Sequence, residues 1–189
     1  MADFITKAQL QSTLGKDIRG LKRDMAVILA MSKKLGKKRN EFESSVFISH
    51  SHKNSDLVEY LVALLTKLKV EVYVDWMDDE LSYPPSSKTA IKIKNMINAN
   101  KKFILLATNE GIESKWCNWE LGIGDVHKYI DHIALLPVAD NSGNWIGNEY
   151  LRLYPYVDKK YKSLAFNDEY SVIYPDGKKI DFVQWLKTN

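Results

Sequence analysis

The chain has 189 residues, 45% of them hydrophobic and 27% charged, with a formal net charge of +3. That length allows one domain with a substantial core and an appendage. The composition excludes a disordered class, and the longest wholly apolar run, Met25 to Met31, is far short of a spanning helix. Cys117, the single cysteine, excludes an intramolecular disulfide, and no basic flank with an apolar core opens the chain. A cytoplasmic protein without membrane contact is expected.

The charge is uneven. Residues 1–40 carry +7 and the remainder −4, so the basic excess belongs to the N-terminal segment. Its basic residues have no interleaved aromatics, so a solvated helix face is expected there and nucleic acid is not. Thr6-Lys7-Ala8-Gln9 has the form of a capping box. Leu14, Ile18, Leu21, Met25 and Ile28 follow at spacings of four, three, four and three, and Leu35 rejoins the seam. Lys33, Lys34 and Gly36 supply stop signals. This predicts an amphipathic helical extension over residues 1–40, weakened by Gly15 and Gly20, whose narrow apolar stripe suits another subunit or its own domain. Self-association through it is expected, and Lys37–Asn40 reads as a hinge.

The main domain is expected over residues 41–189. Ser45–Ser49 reads as a first strand, followed by the loop His50–Asn54. Leu57, Tyr60, Leu61, Leu64, Leu65 and Leu68 then mark an amphipathic helix. Val70–Val74 reads as a second strand ending at Asp75-Trp76. Met77–Ser87, with Pro84 and Pro85, reads as a loop, and Thr89–Asn100 as a helix. Phe103–Ala107 reads as a third strand and Thr108–Gly111 as a polar loop. In the helix that follows, Trp116, Trp119, Ile123, Val126 and Ile130 form one face, with Glu120, Gly124 and His127 on another. Ile133–Val138 reads as a fourth strand. Tyr170–Tyr174, Pro175-Asp176-Gly177 and Lys178–Ile180 read as a hairpin, and Asp181–Gln184 as the start of a short helix. Alternating strands and helices from 45 to 138 imply an α/β fold with a parallel sheet covered on both faces.

Glu120 therefore lies about one turn inside a helix that follows a buried strand. In an open α/β sheet, ligands bind in the crevice beyond the carboxyl ends of the strands, and tryptophans beside a carboxylate can wall a planar ligand. Other motifs fail on context. Gly122-Ile123-Gly124 lacks the third glycine of a dinucleotide fingerprint and lies within a helix, where close packing is the better reading. His50 and His52 lack the partners a metal requires, so no metal is expected. Cys117 has no histidine placed to activate it, and packing is its first reading. Asp75 lacks the acidic pair after the first strand that a phosphoacceptor site needs.

At this point the chain resembles a known family. Val46-Phe47-Ile48-Ser49-His50-Ser51, followed by a helix begun by Asp56, resembles the first box of TIR domains, the Toll/interleukin receptor homology fold. Val72-Tyr73-Val74-Asp75 resembles the second strand and its terminal acid. Ser114-Lys115-Trp116-Cys117-x-x-Glu120 resembles the family's Ser-x-Trp-Cys-x-x-Glu motif. The matches run in order over residues 45–138, and the chain is similar to bacterial TIR proteins of Thoeris-type antiphage systems. It departs from receptor and adaptor members in lacking an Arg-Asp-x-x-Pro-Gly box, where Pro84-Pro85 stands instead.

The resemblance implies a flavodoxin-like open parallel sheet, here with an N-terminal helix and a C-terminal hairpin and short helix added. It implies Glu120 as the catalytic residue of NAD cleavage, with NAD a substrate and no cofactor. It also implies assembly through the TIR domain and a downstream effector protein that senses the nucleotide product. Substrate-lining candidates are Ser49, His50, Ser51, Asp75, Trp76, Trp116 and Cys117. Trp76 is a candidate to stack a ring, and Trp116 reads chiefly as a core anchor. Heterolysis of the nicotinamide–ribose bond releases neutral nicotinamide and leaves an oxocarbenium-like sugar, which a carboxylate stabilises. Water as acceptor gives ADP-ribose, and an internal adenine atom a cyclic product. The rival readings are a non-enzymatic TIR scaffold and a nucleoside deoxyribosyltransferase-like enzyme.

Overall fold

A computed structural model describes residues 4–11, 43–75, 86–159 and 170–188. Its centre is a seven-stranded sheet: β1 (Ser44–Ser49), β2 (Val70–Tyr73), β3 (Lys102–Thr108), β4 (Ile133–Val138), β5 (Tyr156–Lys159), β6 (Tyr170–Ile173) and β7 (Lys179–Asp181). The order across the sheet is β2-β1-β3-β4-β5-β6-β7. The pairs from β2 to β5 are parallel, and β5-β6 and β6-β7 are antiparallel. The parallel sheet expected over residues 45–138 is present as β2-β1-β3-β4, and what the sequence does not show is that the expected C-terminal hairpin extends it into one mixed sheet.

β5 is the reason. Tyr156-Val157-Asp158-Lys159 follows Pro155, joins β4 through the single register pair Leu135↔Tyr156, and turns the edge antiparallel through four pairs with β6. Four residues with one buried apolar position, Val157, carry too little alternation to be read as a strand.

Strand side chains alternate between two cores, as a period of two requires. Val46, Ile48, Ile104, Leu106, Ala134 and Leu136 pack on one face with Leu57, Leu61 and Leu65 of α1 (Ser55–Lys67). Trp185 of the C-terminal helix lies in that core too. On the other face Phe47, Phe103, Leu105, Ala107 and Leu135 pack with Ile93 and Ile97 of α2 (Ser87–Ala99). The Phe47 and Phe103 rings stack there at 5.6 Å. β3 and β4 are buried along their whole length, which explains their unbroken apolar runs.

Thr108–Gly111, expected as a loop, instead opens α3 (Asn109–Glu113). The Thr108 hydroxyl caps this helix by accepting from Gly111 N at 2.9 Å. α4 (Lys115–His127) follows, and its apolar face is only partly covered. Cys117, Glu120, Leu121 and Gly124 are buried, Trp116, Trp119 and Ile123 are half-buried, and Val126 is 79% exposed. Gly124 is a point of close contact with β3. A Cβ there would lie 3.4 Å from the Phe103 ring, so the bare glycine lets α4 settle closely on β3. Of the Gly122–Gly124 pair, only Gly124 packs closely; Gly122 meets nothing within 4 Å.

α2 begins at Ser87, two residues earlier than expected, because Ser86 and Thr89 form a reciprocal capping box. The C-terminal hairpin forms as predicted, with Gly177 at φ 85° in its turn. It leads into α5 (Phe182–Lys187), which Asp181 caps.

At the N-terminus, residues 7–11 are helical and the expected capping pair is present, Gln9 N donating to Thr6 Oγ1 and Thr6 N to Gln9 Oε1. Thr6 bridges Ala139 in parallel, Lys7 pairs with Glu110 at 2.6 Å, and Gln11 donates to Asp56. Ile5 and Leu10 are buried against the domain. The seam from Leu14 to Leu35 and the hinge at Lys37–Asn40 lie outside the described residues.

Candidate active site

The chain runs from β1 to β2 on one side and then crosses to β3 on the other, so strand order reverses around β1. Such a reversal opens a crevice at the carboxyl edge of the sheet. Three elements bring side chains there: the end of β1 with Ser49 and His50, the end of the second strand with Asp75, and the first turns of α4.

α4 is aimed by its own start. The Ser114 side chain accepts from Cys117 N at 3.3 Å, capping the helix. Asn118 Nδ2 donates to Ile112 O at 2.8 Å and Ser114 O at 3.0 Å, while Asn118 Oδ1 accepts from the Tyr150 hydroxyl at 2.6 Å. The corner between α3 and α4 is thereby fixed, and Glu120 is carried under the sheet edge with 2% of its surface exposed. The Ser49 hydroxyl, itself buried, donates to Glu120 Oε2 at 2.6 Å.

The electrostatics follow from this burial. Loss of solvent pushes the Glu120 carboxyl up to about 8; the Ser49 hydrogen bond opposes the rise, the Asp75 charge adds to it, and Trp116 weakly opposes it. Burial also raises the Cys117 thiol to about 11, so it is a buried packing group with no thiolate character. Burial lowers the His50 imidazole below its ordinary value, against the pull of Asp75. His50 Nδ1 lies 3.7 Å from Asp75 Oδ1. The centre is thus a neutral imidazole, an acid and a hydroxyl around a carboxylate that resists ionisation while no cation is near.

Ser49, His50, Asp75, Trp116 and Cys117 are all brought to Glu120 or to its immediate partners. Trp116 is half-buried and packs against the second core, in keeping with the anchor reading, its ring 4.7 Å from that of Trp119. Ser51 caps its own turn by accepting from Lys53 N. Trp76 and most of the following loop lie outside the described residues. Among the described residues no group of three or more His, Cys, Asp or Glu is arranged to hold a metal. No helix among them is long and apolar enough to cross a membrane.

Sequence reasoning missed three supports of the site: Asn118, Thr108 and Asn54. The Thr108 hydroxyl donates to the buried Asn54 Oδ1 at 2.6 Å, tying the end of β3 to the loop after β1. A threonine closing an apolar run three residues before a glycine was an available capping signal for α3. Asn118 had none, because its partners are distant or backbone groups.

An open α/β sheet with a buried carboxylate at its topological switch point has the architecture in which ligands bind at the strand ends. A family model described as TIR domain matches residues 46–170, and the chain belongs to that family. It is 31% identical, over 148 residues that cover 76% of each chain, to a Bacillus cereus (strain MSX-D12) protein named "Probable 3' cyclic ADP-D-ribose synthase ThsB'". It is 32% identical over 89 residues to a Cytobacillus dafuensis protein named "Putative cyclic ADP-D-ribose synthase TIR2". That match covers 44% of this chain and 23% of the much longer relative.

Proposed function

We propose that this protein cleaves the nicotinamide–ribose bond of NAD and closes the ADP-ribosyl group into a cyclic nucleotide signal, as a TIR enzyme of Thoeris-type antiphage defence. The observation that carries the reading is Glu120, buried at the switch point of the sheet and hydrogen-bonded by Ser49. The names of both relatives favour cyclisation over plain hydrolysis.

NAD brings a fixed positive charge to its nicotinamide ring. Beside Glu120 that charge favours the carboxylate, which burial alone disfavours. As the bond breaks, the positive charge moves onto the ribose carbon, and a carboxylate held in a water-poor site stabilises it strongly. Ser49 fixes the carboxylate's orientation. His50 and Asp75 flank the same crevice, Trp116 forms a wall for a planar group, and Trp76 follows directly in sequence as a candidate to stack the other ring. The departing nicotinamide is neutral and needs no acid.

The first relative's name specifies a 3′ closure, which points to a ribose hydroxyl as the internal nucleophile in place of an adenine nitrogen. Assembly of TIR domains, aided by the seam of residues 14–35, and an effector protein that reads the cyclic product complete the reading, in a cytoplasmic setting. NAD is the substrate, and no further cofactor is invoked.

Incubating the concentrated protein with NAD and resolving products by mass spectrometry tests the proposal. Nicotinamide with a cyclic ADP-ribose isomer supports it, and loss of both in Glu120→Gln assigns the residue. No NAD consumption at any protein concentration leaves the scaffold reading in its place.

A further inference from the structure

His50 is a buried polar side chain next to the site. It is 3% exposed, and apart from a weak approach to the Ile48 backbone neither ring nitrogen has a hydrogen-bond partner among the described residues. A buried polar group left in this state calls for a functional explanation. His50 directly follows Ser49, whose hydroxyl holds Glu120, so its backbone position is set by the residue that orients the carboxylate. Its Nδ1 lies 3.7 Å from Asp75 Oδ1, too far for a hydrogen bond but close enough for the carboxylate to favour a proton on the ring.

The titratable groups that act on it are Asp75 beyond β2 and His52 in its own loop, with ring centroids 5.8 Å apart, and the same Asp75 acts on Glu120 and Cys117 of α4. Burial and His52 hold the imidazole neutral, whereas Asp75 and, most weakly, the Ile48 backbone pull the other way. A neutral ring with an unused lone pair and a carboxylate behind it has the parts of a general base.

Resting on the cyclising reading above, we propose that His50 takes the proton of the hydroxyl that closes the ring, with Asp75 stabilising the imidazolium that forms. The bond from ribose C1″ to the nicotinamide nitrogen breaks, and its electron pair neutralises the nicotinamide ring. The hydroxyl oxygen bonds to C1″, its proton passes to His50, and His50 later returns it to water. The sum is NAD to cyclic ADP-ribose, nicotinamide and one proton.

Nicotinamide itself gives the control nucleophile. Its ring nitrogen carries no proton, so recapture of C1″ by isotopically labelled nicotinamide needs no base, while ring closure by a hydroxyl does. The full-length protein is incubated with NAD and labelled nicotinamide, and the rate of cyclic product is divided by the rate of label entering NAD. In His50→Asn this ratio should fall at least about 100-fold, the usual size of general-base catalysis. Asp75→Asn should lower it about tenfold, and this variant decides the matter if His50→Asn fails to melt cooperatively. Equal losses in both rates, leaving the ratio unchanged, would make His50 structural and overturn the inference, as would undiminished rates. A wild-type protein that exchanges label but makes neither cyclic product nor ADP-ribose overturns the base role while leaving NAD binding and cleavage standing. One that does nothing to NAD removes the parent reading and this inference together.

Discussion

The Ser49 hydroxyl and the Glu120 carboxylate meet at 2.6 Å, joining the last residue of β1 to the second turn of α4 across 71 positions of sequence. Both side chains are buried, and the hydrogen bond is charge-assisted whenever Glu120 is ionised, which makes it stronger and shorter than a neutral one. The contact links two of the motifs by which the chain resembles its family. It also makes the protonation of Glu120 the variable on which activity and stability both turn.

Glu120→Gln should reduce nicotinamide release by a factor of roughly 100 or more, the scale of removing one electrostatic stabiliser. It should also change stability with a definite pH signature. The folded-state value of about 8 lies above the ordinary 4.5, so the folded protein holds this proton more tightly than the unfolded chain does. The stability Glu120 contributes is complete below about 4.5 and is lost as pH rises through about 8. Glutamine does not titrate. Thermal melts should therefore show the variant gaining on wild type from pH 5 to pH 8.5, with each 1 kcal/mol worth about 2–4 °C.

Ser49→Ala removes the hydrogen bond that opposes the upward shift of Glu120, so the carboxyl should titrate higher still. The expected result is a kcat/KM-versus-pH curve whose rising limb moves to higher pH. Activity at pH 7 should fall about 10-fold, in keeping with loss of a hydrogen bond to a charged group. A uniform drop with no movement of the limb would contradict this role for Ser49.

Two glycines near the site should respond oppositely to alanine. At Gly111 a Cβ would lie 2.6 Å from the Leu106 carbonyl oxygen, which cannot yield without moving β3. Gly111→Ala should cost about 1–3 kcal/mol, the usual size of overpacking, read as a lowered Tm. At Gly124 the Cβ would touch the Phe103 ring at 3.4 Å, a contact the ring can relieve by a small shift. Gly124→Ala should fold normally, helped by alanine's advantage within helices of about 1 kcal/mol.

The leucine-rich seam can be tested without undocking the N-terminus. Ile5 and Leu10 are buried and Lys7 pairs with Glu110, so deleting residues 1–40 would strip part of the core along with the seam. Leu21→Lys combined with Ile28→Lys spares residues 4–11. Sedimentation should show a smaller assembly for this double variant, and an unchanged species would remove the seam from self-association.

Much of the architecture could be read from periodicity. β3 and β4 are unbroken apolar runs, the hairpin carries Pro175-Asp176-Gly177, and Leu57 to Leu68 keep helical spacing, so each element declares itself locally. What failed was non-local. Apolar spacing puts Trp116, Trp119, Ile123, Val126 and Ile130 on one face of this helical stretch, and that face is only partly covered: Trp116, Trp119 and Ile123 pack against the core while Val126 and Ile130 are exposed. Its fully buried stripe holds Cys117, Glu120, Leu121 and Gly124, with Gly124 lying against Phe103 and Glu120 at the site. A local pattern and a functional burial conflicted, and the burial prevailed. β5 was missed for another reason: its strand character comes from β6, a partner lying across an intervening segment. For the site, sequence order singled out Glu120, Ser49 and His50, but the Asn54–Thr108 and Asn118–Tyr150 ties depend on which loops meet in space.

The burial of Glu120 has a consequence for which form of the dinucleotide the protein selects. Oxidised NAD presents a cationic ring and offsets the penalty of an unsolvated carboxylate. NADH has the same size, phosphates and sugars, yet its dihydronicotinamide is neutral and offers no such compensation. The proposed pocket therefore works as a charge filter, reading the redox state of the ring without any contact specific to its extra hydride. Under this reading, turnover of NAD should be little inhibited by an equal concentration of NADH, and a defence signal drawn from the pool would track its oxidised fraction.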